Sequence, residues 1–81
     1  MSVVKQIELN DNYINNIVWC SIDPESGDIV PYPVEISEKI ETSFSNGEKN
    51  LVIPEFRGIQ LNFKEMIQTT ETGLRSIFRE N

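Results

Sequence analysis

Apolar positions in this chain fall in short runs separated by polar punctuation, the pattern of strands, and only one stretch carries a helical period. Residues 17–22 (IVWCSI) are β-branched and aromatic, which predicts a strand. The segment Asp23-Pro24-Glu25-Ser26-Gly27-Asp28 follows as a turn, with Pro and Gly supplying the dihedrals a reversal needs. Ile29 to Tyr32 form a second strand, and Pro31, which cannot donate to a ladder, places it at an edge or a bulge. The helix is predicted over residues 37–46 (SEKIETSFSN), with Ser37 as N-cap and Glu38 and Glu41 complementing the macrodipole. Ile40 and Phe44 stand i, i+4 on one stripe, and Gly47 is the stop. So short a helix does not hold alone in water, so it must pack on the strands, with Ile40 and Phe44 buried against Trp19 and Leu61.

Four more strand segments follow Gly47: residues 51–53, 59–63, 66–69 and 74–78, broken by turns containing Pro54, Gly58 and Gly73. The resulting order is β-β-α-β-β-β-β, an α+β fold with an antiparallel sheet and one helix. The sheet must curl around the helix, because the chain is too short to build a second covering layer. Residues 1–15 give weaker signals. Val3-Val4 and Ile7 to Leu9 amount to a short edge strand at most, so 1–15 is expected to be an arm or linker and 16–81 the domain.

Length and composition narrow the function classes. With 81 residues there is room for one domain and none for a catalytic cleft between two lobes. The balance of 38% apolar and 25% charged residues argues against disorder. No apolar run approaches the ~20 residues that span a bilayer. The opening MSVVKQIELN lacks the apolar stretch of a signal peptide, and a lone cysteine forms no internal disulfide. A cytosolic or nuclear location is therefore expected, with Cys20 as a buried structural thiol. The chain contains no histidine, which removes Ser-His and Cys-His catalysis, and one cysteine cannot build a zinc site. No glycine-rich phosphate loop occurs. The expectation is a recognition module without enzymatic activity or cofactor. Asp23, Glu25 and Asp28 crowd one turn, but the position where a calcium loop needs its bidentate acid is Val34, so this is an acidic solvated turn.

The net charge of −6 is unevenly spread. Residues 1–50 carry three lysines and nine acids, whereas residues 51–81 carry four cations and four anions. General DNA binding is disfavoured, and an anionic ligand should dock near the C-terminal arginines. If the last two strands pair through a tight turn at Glu71-Thr72, Gln68 and Arg75 fall opposite each other and project from one face. The amide offers donor and acceptor, and the guanidinium offers a fork for phosphate or carboxylate. Such a pair is either a polar contact facing water or the floor of a site for a nucleotide-like ligand.

The segment Leu61-Asn62-Phe63-Lys64-Glu65-Met66-Ile67-Gln68, followed by Thr72-Gly73-Leu74-Arg75-Ser76-Ile77-Phe78-Arg79, resembles the C-terminal signature of WWE domains. Trp19 resembles the first family tryptophan, Tyr32 the residue closing W-x-P-Y, and Ser37, Ile40 and Glu41 the helix motif S-x-x-I-E. The resemblance covers about residues 17–79. It implies a strongly curved half-barrel sheet of about six strands around one α-helix. It also implies recognition of ADP-ribose or poly-ADP-ribose, through the iso-ADP-ribose unit or the terminal ADP-ribose. Ubiquitin ligase or ADP-ribosyltransferase components are the implied partners. The ligand would be held by Gln68 and Arg75, with Arg79 adding attraction and Tyr32 nearby. The family's second tryptophan falls at Ile29, and the tyrosine that ligand-binding members place nine residues before the glutamine falls at Ile59. If the pocket is lost with those aromatics, the implied alternative is a WWE-like protein-interaction domain using the acidic N-terminal half.

Overall fold

The computed structural model describes residues 17–80, so the expected arm at 1–15, with its short edge strand, lies outside the described residues. The elements are β1 (Val18–Ile22), β2 (Ile29–Pro31), α1 (Val34–Ser45), β3 (Asn50–Ile53), β4 (Ile59–Asn62), β5 (Ile67–Thr70) and β6 (Gly73–Glu80). All pairings are antiparallel, in the order β2-β1-β6-β5-β4-β3. The chain is an α+β fold: one helix against an open, curved six-stranded sheet, not a closed barrel.

Alternation along the strands sorts the side chains. Trp19, Ser21, Ile77, Gln68, Leu61, Ile59 and Ile53 share the concave face and are buried. The opposite face carries exposed Val18, Ile29, Val52 and Leu74. Ile36 and Ile40 of α1 complete the core with Tyr32 and Phe63.

The helix begins earlier than the capping signal suggested. Pro33 is the N-cap, in the extended conformation its ring favours, and no side chain caps the first turn. The Ser37 amide donates to the Pro33 carbonyl inside the helix. The buried Ser37 hydroxyl instead accepts from the Trp19 amide at 2.9 Å and fastens α1 to β1. The C-terminus ends as expected. Gly47 takes φ +78°, and the amides of Gly47 and Glu48 donate to the carbonyls of Phe44 and Ser43, closing a Schellman motif.

Ile40 is fully buried, but Phe44 is 37% exposed, which corrects the expectation that both are core. Phe44 sits in the last turn, at the rim of the sheet. Its ring meets Trp19 and Phe63 edge-on at 5.1 and 5.6 Å, and the Arg79 guanidinium lies over it at 5.9 Å.

Trp19 is the hub of this packing. It is fully buried, and its indole N–H donates to Glu41 Oε1 at 2.9 Å. Arg79 grips both oxygens of Glu41, Nε to Oε1 and Nη2 to Oε2, each at 2.9 Å. These bonds, the Arg79 fork foremost, hold the Glu41 carboxyl down from an ordinary 4.5 to about 2. A carboxylate depressed by folding stabilises the fold above its unfolded pKa, and that contribution disappears as pH falls through the folded pKa. The domain should therefore lose stability between about pH 4.5 and pH 2. Screening of this partly exposed pair limits the loss to about 1 kcal/mol. Thermal melts against pH should show this acid limb flattened in Glu41→Gln; an identical limb in the variant would refute the assignment.

Candidate ligand-binding cleft

The pairing of β5 with β6 places Gln68 opposite Arg75, and a two-residue connection at 71–72 fixes that register. Both side chains face the concave side. They open onto a cleft of about 220 Å³, lined also by Ser21, Asp23, Val30, Pro31, Tyr32, Phe56, Arg57, Ile59, Thr70 and Thr72.

Gln68 is buried, and its Oε1 accepts from the Tyr32 hydroxyl at 2.5 Å. Burial pushes the Tyr32 phenol up to about 12, against the opposing hydrogen bond of Ser21 and charge of Arg75. The phenol is therefore a proton donor at any physiological pH, and it fixes the amide's orientation. The Gln68 amide nitrogen has no protein partner among the described residues, although buried polar groups nearly always find one. A buried donor at a cleft wall is a place for a ligand acceptor.

Two arginines flank this floor. Arg75 is half-buried, and its Nη2 lies 3.7 Å from Asp23 Oδ2. Arg57 stands at the cleft's lip in a turn from Phe56 to Ile59, whose two central residues, Arg57 and Gly58, have φ of 59° and 61°. Left-handed geometry at both central positions makes this a primed turn at the end of the five-residue connection 54–58, natural for Gly58 and strained for an arginine. The turn closes through the Ile59 amide donating to the Phe56 carbonyl. It presents the half-buried Phe56 ring to the cleft, edge-on to Tyr32 at 6.1 Å.

Four of the six side chains expected at a ligand site come together here: Gln68, Arg75, Tyr32 and Ile59. Ile59 is buried in the cleft wall. Two do not. Ile29 pairs with Ile22 on the convex face and is 60% exposed, so the position of the family's second tryptophan points away from the cleft. Arg79 shares the strand face of Arg75, but Ile77 separates them, and Glu41 and Phe44 hold Arg79 at the other end of the sheet.

Trp19 thus joins Ser37 and Glu41 in one hydrogen-bonded unit, and Gln68 and Tyr32 form another, with Arg75 across the strand pair. The WWE domain family model matches residues 17–79, the span containing both units. This chain belongs to the WWE domain family. Comparison with curated proteins gives no match. As a WWE domain it is a member of a family of protein and ADP-ribose recognition modules. In this WWE domain the first tryptophan and the glutamate of the helix motif are structural, since they bond to each other across β1 and α1. No helix among the described residues is long and apolar enough to cross a membrane.

Reading the sequence overlooked Phe56, Arg57, Ser21 and the part played by Asp23. Gly58 signalled a turn, but Arg57, strained at positive φ, gave no sign of its left-handed conformation. Nothing local marked Phe56 or Ser21, because their places in the cleft depend on the pairing of distant strands.

Proposed function

We propose that this WWE domain is a non-catalytic recognition module that binds ADP-ribose in the Gln68–Arg75 cleft, as the iso-ADP-ribose unit of poly-ADP-ribose or as the chain's terminal ADP-ribose. It would serve ubiquitination or ADP-ribosylation pathways beside a ubiquitin ligase or ADP-ribosyltransferase component, in the cytosol or nucleus. The observation that carries this reading is the half-used Gln68 amide. It is buried and held by Tyr32, and its N–H donor, without a partner among the described residues, stands beside the guanidinium fork of Arg75. An amide donor suits a base or ribose acceptor, and the fork suits a phosphate. Phe56 and Tyr32 supply aromatic surface near the position where Ile59 replaces a tyrosine. Base stacking on aromatic rings is worth on the order of 1–3 kcal/mol.

A protein of net charge −6 repels an anion at long range, so affinity should be micromolar or poorer. Calorimetric titration with ADP-ribose, iso-ADP-ribose and poly-ADP-ribose tests the reading. Saturable 1:1 binding of at least one is expected, and no heat from any of them at millimolar ligand would end it.

A further inference from the structure

The cleft described above has a neighbour. A second cleft, about 230 Å³, is lined by Pro24, Glu25, Gly73 and Leu74, and shares Asp23, Thr70, Thr72 and Arg75 with the first. The Asp23–Arg75 ion pair is thus part of a common wall. Ligand sites for drug-sized molecules occupy roughly 300–1,000 Å³. Neither cleft reaches that range alone, whereas a single trough made of both would. The cation best placed to grip a phosphate is therefore already engaged by a carboxylate of the protein.

Asp23 divides its two oxygens between separate tasks. Its Oδ1 accepts from the amides of Glu25 and Ser26, at 2.8 and 3.4 Å, and shapes the turn after β1. Its Oδ2 faces Arg75 at 3.7 Å. The turn is further closed by main-chain bonds between Asp23 and Asp28 and between Gly27 and Asp23. The oxygen on Arg75 is therefore not needed to hold the turn.

We propose that Asp23 is a specificity-determining latch: its carboxylate occupies Arg75 and partitions the trough, and a ligand phosphate must displace it to bind. The inference rests on the ADP-ribose reading of the cleft. Displacement costs an anionic ligand twice, once in the broken pair and once in repulsion from the released carboxylate. The latch thereby disfavours small free anions, which gain only the Arg75 contact. It favours a ligand long enough to fill both halves, with a base or ribose at Gln68 and a phosphate at Arg75.

The test is ADP-ribose affinity by calorimetry for wild type, Asp23→Asn and Asp28→Asn. Asparagine keeps the Oδ1 acceptor and removes the charge facing Arg75, so the fold should survive, with an unchanged melting temperature. Asp28→Asn removes the same charge from the same turn at a residue that lines neither cleft. Exposed ion pairs are worth little, so Asp23→Asn should bind about three- to tenfold tighter than wild type, and Asp28→Asn within about twofold of it. Equal or weaker binding by Asp23→Asn overturns the latch and leaves the ADP-ribose reading standing. Equal tightening by both variants shows a bulk charge effect and overturns it too. Absence of binding by all three proteins removes the ADP-ribose reading, and the latch with it.

Discussion

Trp19→Ala should remove a large part of this domain's stability, about 3–5 kcal/mol. The side chain is fully buried, it meets Phe44 and Phe63 edge-on, and its indole N–H is bonded to Glu41. Truncating a buried large aromatic costs about 3–5 kcal/mol. Proteins hold roughly 0.05–0.15 kcal/mol of stability per residue, so a chain of 81 residues has about 4–12 kcal/mol in total. Losing the indole also strips Glu41 of one donor and loosens the join between α1 and β1. Trp19→Phe should cost less, because most of the apolar volume stays and only the hydrogen bond and part of the packing go. Urea titrations followed by circular dichroism check both. A folded Trp19→Ala protein with the wild-type midpoint would contradict the assignment of Trp19 as the hub.

Arg75→Ala should lower ADP-ribose affinity by about tenfold or more while barely changing stability. A charge-assisted hydrogen bond is worth about 1.5–3 kcal/mol, and 1.4 kcal/mol is a factor of ten. The stability cost is small because Arg75 is half-exposed and its visible partner is Asp23 at 3.7 Å, an ion pair of the weak surface kind. Calorimetry and a thermal melt on one preparation separate the two effects. Unchanged affinity would move the site away from Arg75. A collapsed melting temperature would instead make the arginine structural.

Much of this fold was legible in the sequence because strands and turns are local. Each observed strand lies within two residues of its predicted span, since β-branched runs and the Pro and Gly breaks set the limits. The Gln68–Arg75 pairing was legible for the same reason: a two-residue turn leaves one register. The helix start was misplaced because Ser37 has the chemistry of a cap but spends its hydroxyl on the Trp19 amide of a distant strand. Ile29 and Arg79 lie outside the cleft for non-local reasons as well. Side chains alternate along a strand, so the register of β2 on β1 alone decides that Val30 faces the cleft and Ile29 faces out. Arg79 has the strand parity of Arg75, but Glu41 reaches it from the helix, a contact no strand pattern encodes.

The cleft shows the same division. Its floor could be read from the C-terminal hairpin. Its walls, Phe56 and Arg57 from one turn and Asp23 from another, come together only when β1 pairs with β6 and the sheet curls. A turn that looked like solvated acid thus supplies the carboxylate opposite Arg75.

The most direct test of the central claim, that this cleft is a ligand site, is a nuclear magnetic resonance titration of the isotope-labelled domain with ADP-ribose. Saturable shifts are predicted at the Gln68 side-chain amide and the Arg75 guanidinium, and at the amides of Ser21, Phe56 and Thr70, with the Trp19 indole unmoved. Spectra unchanged at millimolar ligand, or shifts confined to the acidic helix face around Glu35 and Glu38, would contradict it.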